Sequence, residues 1–237
     1  LLSRPPLLLS TFPLMDSSLP SWLTPLLACP VCLAPLAAGA ACGCLRSLDL
    51  AAPVPDLLCG EAPLGDAYDR MADIADRRAE TEPDRFTSID RALLDATRGR
   101  TLELGCGTGR LLGGLAARTE ELVGVDLSRE SLLRARARGF TVLRADALRL
   151  PFAPGSFHAV VAGFGTFAHL PIEAAAQEAA RVLLPGGTLA FHNFGAKALT
   201  AAQVLAGVVR LRRPRRTTRF HTDAIRRWRD VEVALDA

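Results

Sequence analysis

The 237-residue sequence predicts an α/β protein, a doubly wound and mainly parallel sheet with a small cysteine-bearing module ahead of it. Three observations carry this expectation. Residues 101–110, TLELGCGTGR, place three glycines in five positions directly behind a short apolar run. Strand-like and helix-like stretches then alternate through residue 194. Upstream, four of the six cysteines fall between residues 29 and 44.

The elements follow from pattern. An apolar strand over 100–104 enters the glycine loop, and a helix over 110–117 carries Leu111, Leu112 and Leu115 at helical spacing. A second strand, 122–125, ends in Asp126, and Ser128 is placed to cap a helix over 129–138. A third strand, 140–144, leads to Asp146. The fourth spans 156–162, a helix covers 172–184, and the fifth strand, 187–194, follows the Pro185-Gly-Gly turn. In such a sheet the ligand crevice opens at the carboxyl ends of the strands.

Glycine gives up side-chain packing in return for positive φ and close approach of other groups, so the loop reads either as a bare strand-to-helix turn or as a turn around a ligand. The acidic residues weigh toward the ligand. Asp126 lies seventeen residues past Gly109 at a strand tip, where a carboxylate accepts both hydroxyls of a ribose. Read as structure alone, it is a helix N-terminal Asp favoured by about 0.3–1 kcal/mol. Asp146 repeats the placement on the third strand, facing an adenine amino group. Glu103, just ahead of GxGxG, would repel a pyrophosphate but attract the ammonium of a sulfonium cofactor.

These residues resemble the class I S-adenosylmethionine-dependent methyltransferases (the methyltransferase type 11-like group) across residues 68–194, with LELGCGTGR, LVGVDLS, RADALRLPFAPGSFHAVVA and EAARVLLPGGTLAFHNF as the matching motifs. The resemblance implies a Rossmann-like methyltransferase sheet. In it Glu103, Gly105 and Gly107 cradle the methionine part, with Cys106 and Gly109 in the same loop. Asp126 and Leu127 serve the ribose, Asp146 and Ala147 border adenine, and Gly163 lies beside the methyl-transfer point. Tyr68, with Asp69, resembles the segment that covers the cofactor. His158 stands where the family commonly has Asp. The fourth strand reads VVAGFG rather than the Asn/Asp-Pro-Pro-Tyr run of amino-group methylators, and no cysteine is there for covalent attack on a pyrimidine. His169 and His192 are candidate bases, each with a plain reading as a helix-start or strand-edge histidine.

The cysteines form a CPVC pair, Cys29 and Cys32, and a CGC pair, Cys42 and Cys44. They read as a tetrahedral Zn²⁺ site, as disulfides, or as incidental buried thiols. The lack of a convincing signal peptide points to the reducing cytoplasm and so favours metal. Residues 22–58 resemble the small zinc-ribbon module known as a methyltransferase activator, including its VPDLL ending. Two departures mark the sequence: the second knuckle is CxC, one residue short, and Pro53 replaces the usual Gly. These departures imply either a degraded site or Cys59 standing in as a ligand.

The expected organisation is therefore a disordered or over-extended start at 1–21, a zinc-ribbon-like module at 22–58, a linker at 59–66, a methyltransferase core at 67–195 and a basic, shortened end at 196–237. That end offers a helix over 196–211, an arginine run, a helix opened by Thr222 and a strand over 230–236. The family sheet has a seventh, antiparallel strand beside the fifth. Here it is expected to be missing, which leaves the fifth strand's edge open or covered by an unusual segment. No apolar run approaches the roughly 20 residues of a membrane span. The net charge of +3 is small, but residues 210–237 hold nine Arg against four acidic residues. Two acceptor classes fit: a small or lipid-like molecule, suited by the apolar rim at residues 163–167, and an rRNA or tRNA base docked by the zinc module and the LRRPRR run.

Overall fold

Parallel strands and crossing helices build the molecule. The computed structural model describes residues 19–36, 42–44, 49–81, 87–163, 166–194 and 204–210. Helices α1 (Pro63–Asp69), α2 (Ala72–Thr81) and α3 (Thr87–Asp95) lead into β1 (Thr101–Leu104), α4 (Arg110–Ala116), β2 (Leu122–Asp126), α5 (Arg129–Ala137), β3 (Val142–Arg144), β4 (Phe157–Ala162), α6 (Ile172–Val182), β5 (Leu183–Phe194) and β6 (Val204–Arg210). The sheet order is β3-β2-β1-β4-β5-β6, with only β6 antiparallel. The doubly wound sheet is the one expected, and its order reverses at β1, which puts the crevice beside the glycine loop.

Side chains alternate along each strand, so the sheet fills two cores. Leu102, Leu104, Val123, Val125, Val160 and Ala162 pack on one face with α6. Val161 and Ala190 face the other way, onto Leu111, Leu112 and Leu115 of α4 and Leu132 and Ala135 of α5. Ser128 caps α5 as expected, its hydroxyl accepting the Ser131 N–H at 3.1 Å.

The N-terminal segment is continuous with the first core. Leu23, Leu27, Cys29, Leu36 and Leu57 are buried in the same cluster as Leu150 and Phe152. Main-chain bonds add to this: Leu57 N–H donates to the Arg144 carbonyl and Arg144 N–H to the Pro55 carbonyl, both at 2.9 Å. The outer edge of β3 is thus covered by residues 55–57, a parallel bridge that leaves fewer free edge groups.

Two expectations change. The fifth strand begins earlier, at Leu183, and α6 stops at Val182. Pro185-Gly-Gly therefore lies inside β5, at the register shift opposite Phe157 and Ala159, because proline ends the helix and the sheet absorbs the extra residues as an irregularity. The helix expected over 196–211 is, from Val204, strand β6. VLAGVVR holds three valines and a glycine, a poor helix former, and the open edge of β5 offers a full ladder from Thr188 to Phe194. An antiparallel strand does stand beside β5, formed by residues 204–210. The expectations for 1–18, the arginine run beyond Arg210, the helix at Thr222 and the strand at 230–236 fall outside the described residues.

Arg181 of α6 fixes the loop after β3. Its guanidinium donates to the carbonyls of Phe152 at 2.6 Å and Leu150 at 2.9 Å, while Glu178 accepts the Leu150 N–H at 2.7 Å. Changing Arg181 to Met leaves two carbonyls without their charged donor. A loss of about 2 kcal/mol is expected in denaturant unfolding, and no measurable change would show that solvent replaces the guanidinium at little cost.

Candidate functional site

Four strand ends converge on one cavity of about 740 Å³. Gly105 follows β1, Asp126 and Leu127 end β2, Asp146 and Ala147 follow β3, and Gly163 follows β4; all line it. Tyr68 joins them from α1, and Leu64, Met71 and Ile74 complete an apolar rim on the helical side. Ten of the eleven residues expected at a cofactor meet here. Gly109 does not: it is the left-handed N-cap of α4, φ 91°, and a Cβ there would approach the Phe140 ring to 2.7 Å. Gly107 is bare for another reason. Its φ is 52°, and a Cβ would meet nothing within 4 Å, so the space beside it belongs to the cavity rather than to packing.

Asp126 ties the loop to the sheet. Its Oδ2 accepts the Gly107 N–H and its Oδ1 the Ser128 N–H, each at 2.8 Å. Lost hydration raises this carboxyl above its ordinary value, and the two amide donors work in the opposite direction. A carboxylate can accept further hydrogen bonds beyond these, and Asp126 lines the cavity. Asp146 resembles it locally, its Oδ1 accepting the Leu148 N–H at 2.8 Å.

Glu103 is the unusual group. It is 3% exposed, lines the cavity, and its Oε2 is buried without a hydrogen-bond partner. Burial pushes its carboxyl well above the ordinary value; the Arg110 charge opposes this, and Asp126 and Asp90 add to it. Arg110 is itself held by both oxygens of Asp90, with Nη2 to Oδ1 at 2.9 Å. A cation entering the cavity would supply what Oε2 lacks. Cys106, 5% exposed, is pushed well above its ordinary value by burial and stays a thiol.

His169 lines the cavity and meets Tyr68. The apolar helical rim was not expected at the site; Leu64, Met71 and Ile74 are exposed, and their exposure beside a cavity is visible only in three dimensions. Phe164, Gly165 and the His192 side chain fall outside the described residues.

The four expected metal ligands do come together. The Sγ atoms of Cys29, Cys32, Cys42 and Cys44 all lie within 4.8 Å of one another, so the short CxC knuckle still closes the set. The Val31 N–H donates to Cys29 Sγ at 3.4 Å. Burial raises the Cys29 thiol, but hydrogen bonding from Cys42, Cys32 and Val31 outweighs it and brings it to about 7. Cys59 is not in this set; burial first, then the charge of Cys29, raises its thiol.

Residues 101–187 match the family model described as a methyltransferase domain. The chain is 42% identical over 118 residues to a demethylmenaquinone methyltransferase of Thermus thermophilus, covering 46% of this chain and 53% of that protein. It is 37% identical over 110 residues to a 2-phytyl-1,4-naphtoquinone methyltransferase of Thermosynechococcus vestitus, covering 43% and 49%. The chain thus spans about half the length of these curated relatives. A solved S-adenosylmethionine-dependent methyltransferase of Thermotoga maritima is 27% identical, with 56% of this chain and 62% of that one covered and a TM-score of 0.47. The residues that match the methyltransferase-domain model, 101–187, are those that build β1 to β4 and the start of β5 of the mainly parallel sheet.

Glu103 yields a prediction with a definite sign. Its folded-state value is raised, so the stability tied to its neutral form is fully present below the unfolded value and is lost as pH rises through the folded one. Glu103→Gln cannot ionise. In the absence of ligand the variant should unfold at a higher temperature than the parent at about pH 8, with the difference closing toward about pH 4. A variant less stable at every pH would mean that the carboxylate has a partner in the folded protein.

Proposed function

We propose that this chain is an S-adenosylmethionine-dependent methyltransferase acting on a small-molecule acceptor. The observation that carries the reading is a buried carboxyl group, Glu103, whose Oε2 lacks a hydrogen-bond partner, lining the same cavity as Asp126 and the open glycine loop. The cofactor's ammonium complements Glu103, its ribose hydroxyls complement the Asp126 carboxylate, and its adenine fits beside Asp146 and Ala147. Bound there, it supplies an activated methyl group; the chain's part is to orient it and exclude water. Leu64, Met71 and Ile74 give the acceptor's side an apolar lining. The relatives' names point the same way, toward a 1,4-naphthoquinone ring with an apolar chain. The arginine run invoked for RNA docking lies outside the described residues. Among the described residues no helix is long and apolar enough to cross a membrane.

The cysteine cluster is read as a structural zinc site. Zinc–sulfur bonds of about 2.3 Å require sulfurs about 3.8 Å apart, and the four Sγ atoms lie within 4.8 Å of one another. Cys29, Cys32, Cys42 and Cys44 would hold the ion, which would cross-link two stretches of the N-terminal segment.

Two measurements test these readings. Labelled methyl from S-adenosylmethionine should appear in an organic extract when the chain is given a reduced 2-phytyl-1,4-naphthoquinone, and not in bulk tRNA; label in the tRNA alone would reverse the choice of acceptor. Protein purified under reducing conditions should carry about one zinc per chain, and chelation should lower its unfolding temperature. A folded protein without zinc would leave the cysteines a purely packed cluster.

A further inference from the structure

Tyr68 and His169 meet at the cavity although 101 residues separate them in sequence. Tyr68 Oη lies 2.9 Å from His169 Nε2, and the rings stand edge to face with centroids 5.8 Å apart. Both side chains line the cavity beside Gly163. Each is held from behind. Asp69, next to Tyr68, accepts the Ser128 hydroxyl at 2.6 Å and the Glu130 N–H at 3.0 Å. The short turn Thr166–His169 is tied down by the Thr166 hydroxyl, which donates to the Gly163 carbonyl at 2.8 Å. A phenol fixed against an imidazole in a mostly apolar chamber is more than a ring contact, because the pair can pass a proton out of the chamber without leaving a charge inside it.

We propose that Tyr68 and His169 form a proton relay serving the ring hydroxyl of a reduced naphthoquinone acceptor. The proposal rests on the methyl-transfer reading above and adds the path of the proton. The acceptor hydroxyl gives its proton to Tyr68 Oη as Tyr68 gives its own to His169 Nε2. The electron pair released on the acceptor forms the new bond to the methyl carbon, at oxygen or at the adjacent ring carbon, and the pair of the breaking S–CH₃ bond stays on sulfur. In the carbon case the ring hydrogen then shifts to the oxygen and restores the hydroxyl. One positive charge leaves sulfur and one appears on the imidazole, which is exposed and can return its proton to water. Tyr68 is neutral before and after. That suits its surroundings, since burial and the Asp126 charge both raise its phenol and oppose a standing phenolate. Tyr68 touches the acceptor; His169 acts through it.

The relay requires His169 Nε2 to be unprotonated and to accept from Tyr68. Nitrogen NMR of the full chain with labelled histidine reads this with no acceptor present: the His169 Nε2 resonance should have the position of an unprotonated acceptor and should move in Tyr68→Phe. A protonated Nε2 overturns the proposal. With S-adenosylmethionine and a reduced 2-phytyl-1,4-naphthoquinone, Tyr68→Phe and His169→Ala should each lower kcat about a hundredfold, and His169→Ala should leave the cofactor KM within about twofold. Added imidazole should restore turnover to His169→Ala and not to Tyr68→Phe, a difference that a merely structural role would not produce. Turnover in either variant within about threefold of the parent overturns the relay, as does failure of imidazole to rescue. A parent chain that binds S-adenosylhomocysteine but methylates no naphthoquinol overturns the acceptor class and the relay built on it, whereas one that binds no S-adenosylhomocysteine overturns the cofactor reading itself.

Discussion

The hydrogen bonds from the Gly107 and Ser128 amides to the Asp126 carboxylate are the constraint on which the site depends. They join three pieces of chain: the loop after β1, the tip of β2 and the start of α5. A carboxylate drawn out of water has a cost, and these two amides offset part of it, which fixes its orientation. With Asp126 so held, the positive φ of Gly107 keeps the loop's backbone open toward the cavity. Glu103, two residues before Gly105, lines the same cavity with its Oε2 lacking a hydrogen-bond partner.

Around that constraint the structure is braced on both sides. Asp73 and Asp76 of α2 pair with Arg134 of α5, and Asp76 also pairs with Arg138. Although burial works against ionisation, hydrogen bonds with Thr108, Arg138 and Arg134 hold Asp76 below its ordinary range. Arg138 in turn donates to the Thr108 carbonyl, inside the glycine loop. On the other side Arg144 donates to the Leu127 carbonyl and to Asp56, both at 2.9 Å, so the N-terminal segment and the cavity wall after β2 share one guanidinium. These ion pairs are partly exposed and contribute modestly to stability one by one; their effect is to hold elements in register.

Much of this was legible in the sequence because local chemistry dictates it. A glycine loop between an apolar strand and a leucine-spaced helix, and carboxylates at two successive strand tips, follow from periodicity and from what glycine and aspartate each permit. The four cysteines were legible by spacing, even with the short CGC knuckle. What was not legible depends on contacts distant in sequence. VLAGVVR became a strand because β5 offered a partner, and Gly109 proved to serve the packing of Phe140 rather than the cavity. The apolar rim of Leu64, Met71 and Ile74 and the meeting of Tyr68 with His169 arise only when α1 and α2 fold across the strand ends. Pattern along the chain carries no signal for such a meeting.

The central claim is that Asp126 holds both the loop and the cofactor's ribose. Calorimetric titration of the full chain with S-adenosylhomocysteine, compared with Asp126→Ala, tests it most directly. One-site binding is expected in the parent, weakened in the variant by about 1.5–3 kcal/mol for each charge-assisted bond lost, or at least about tenfold. Equal affinity in the two proteins would contradict the account.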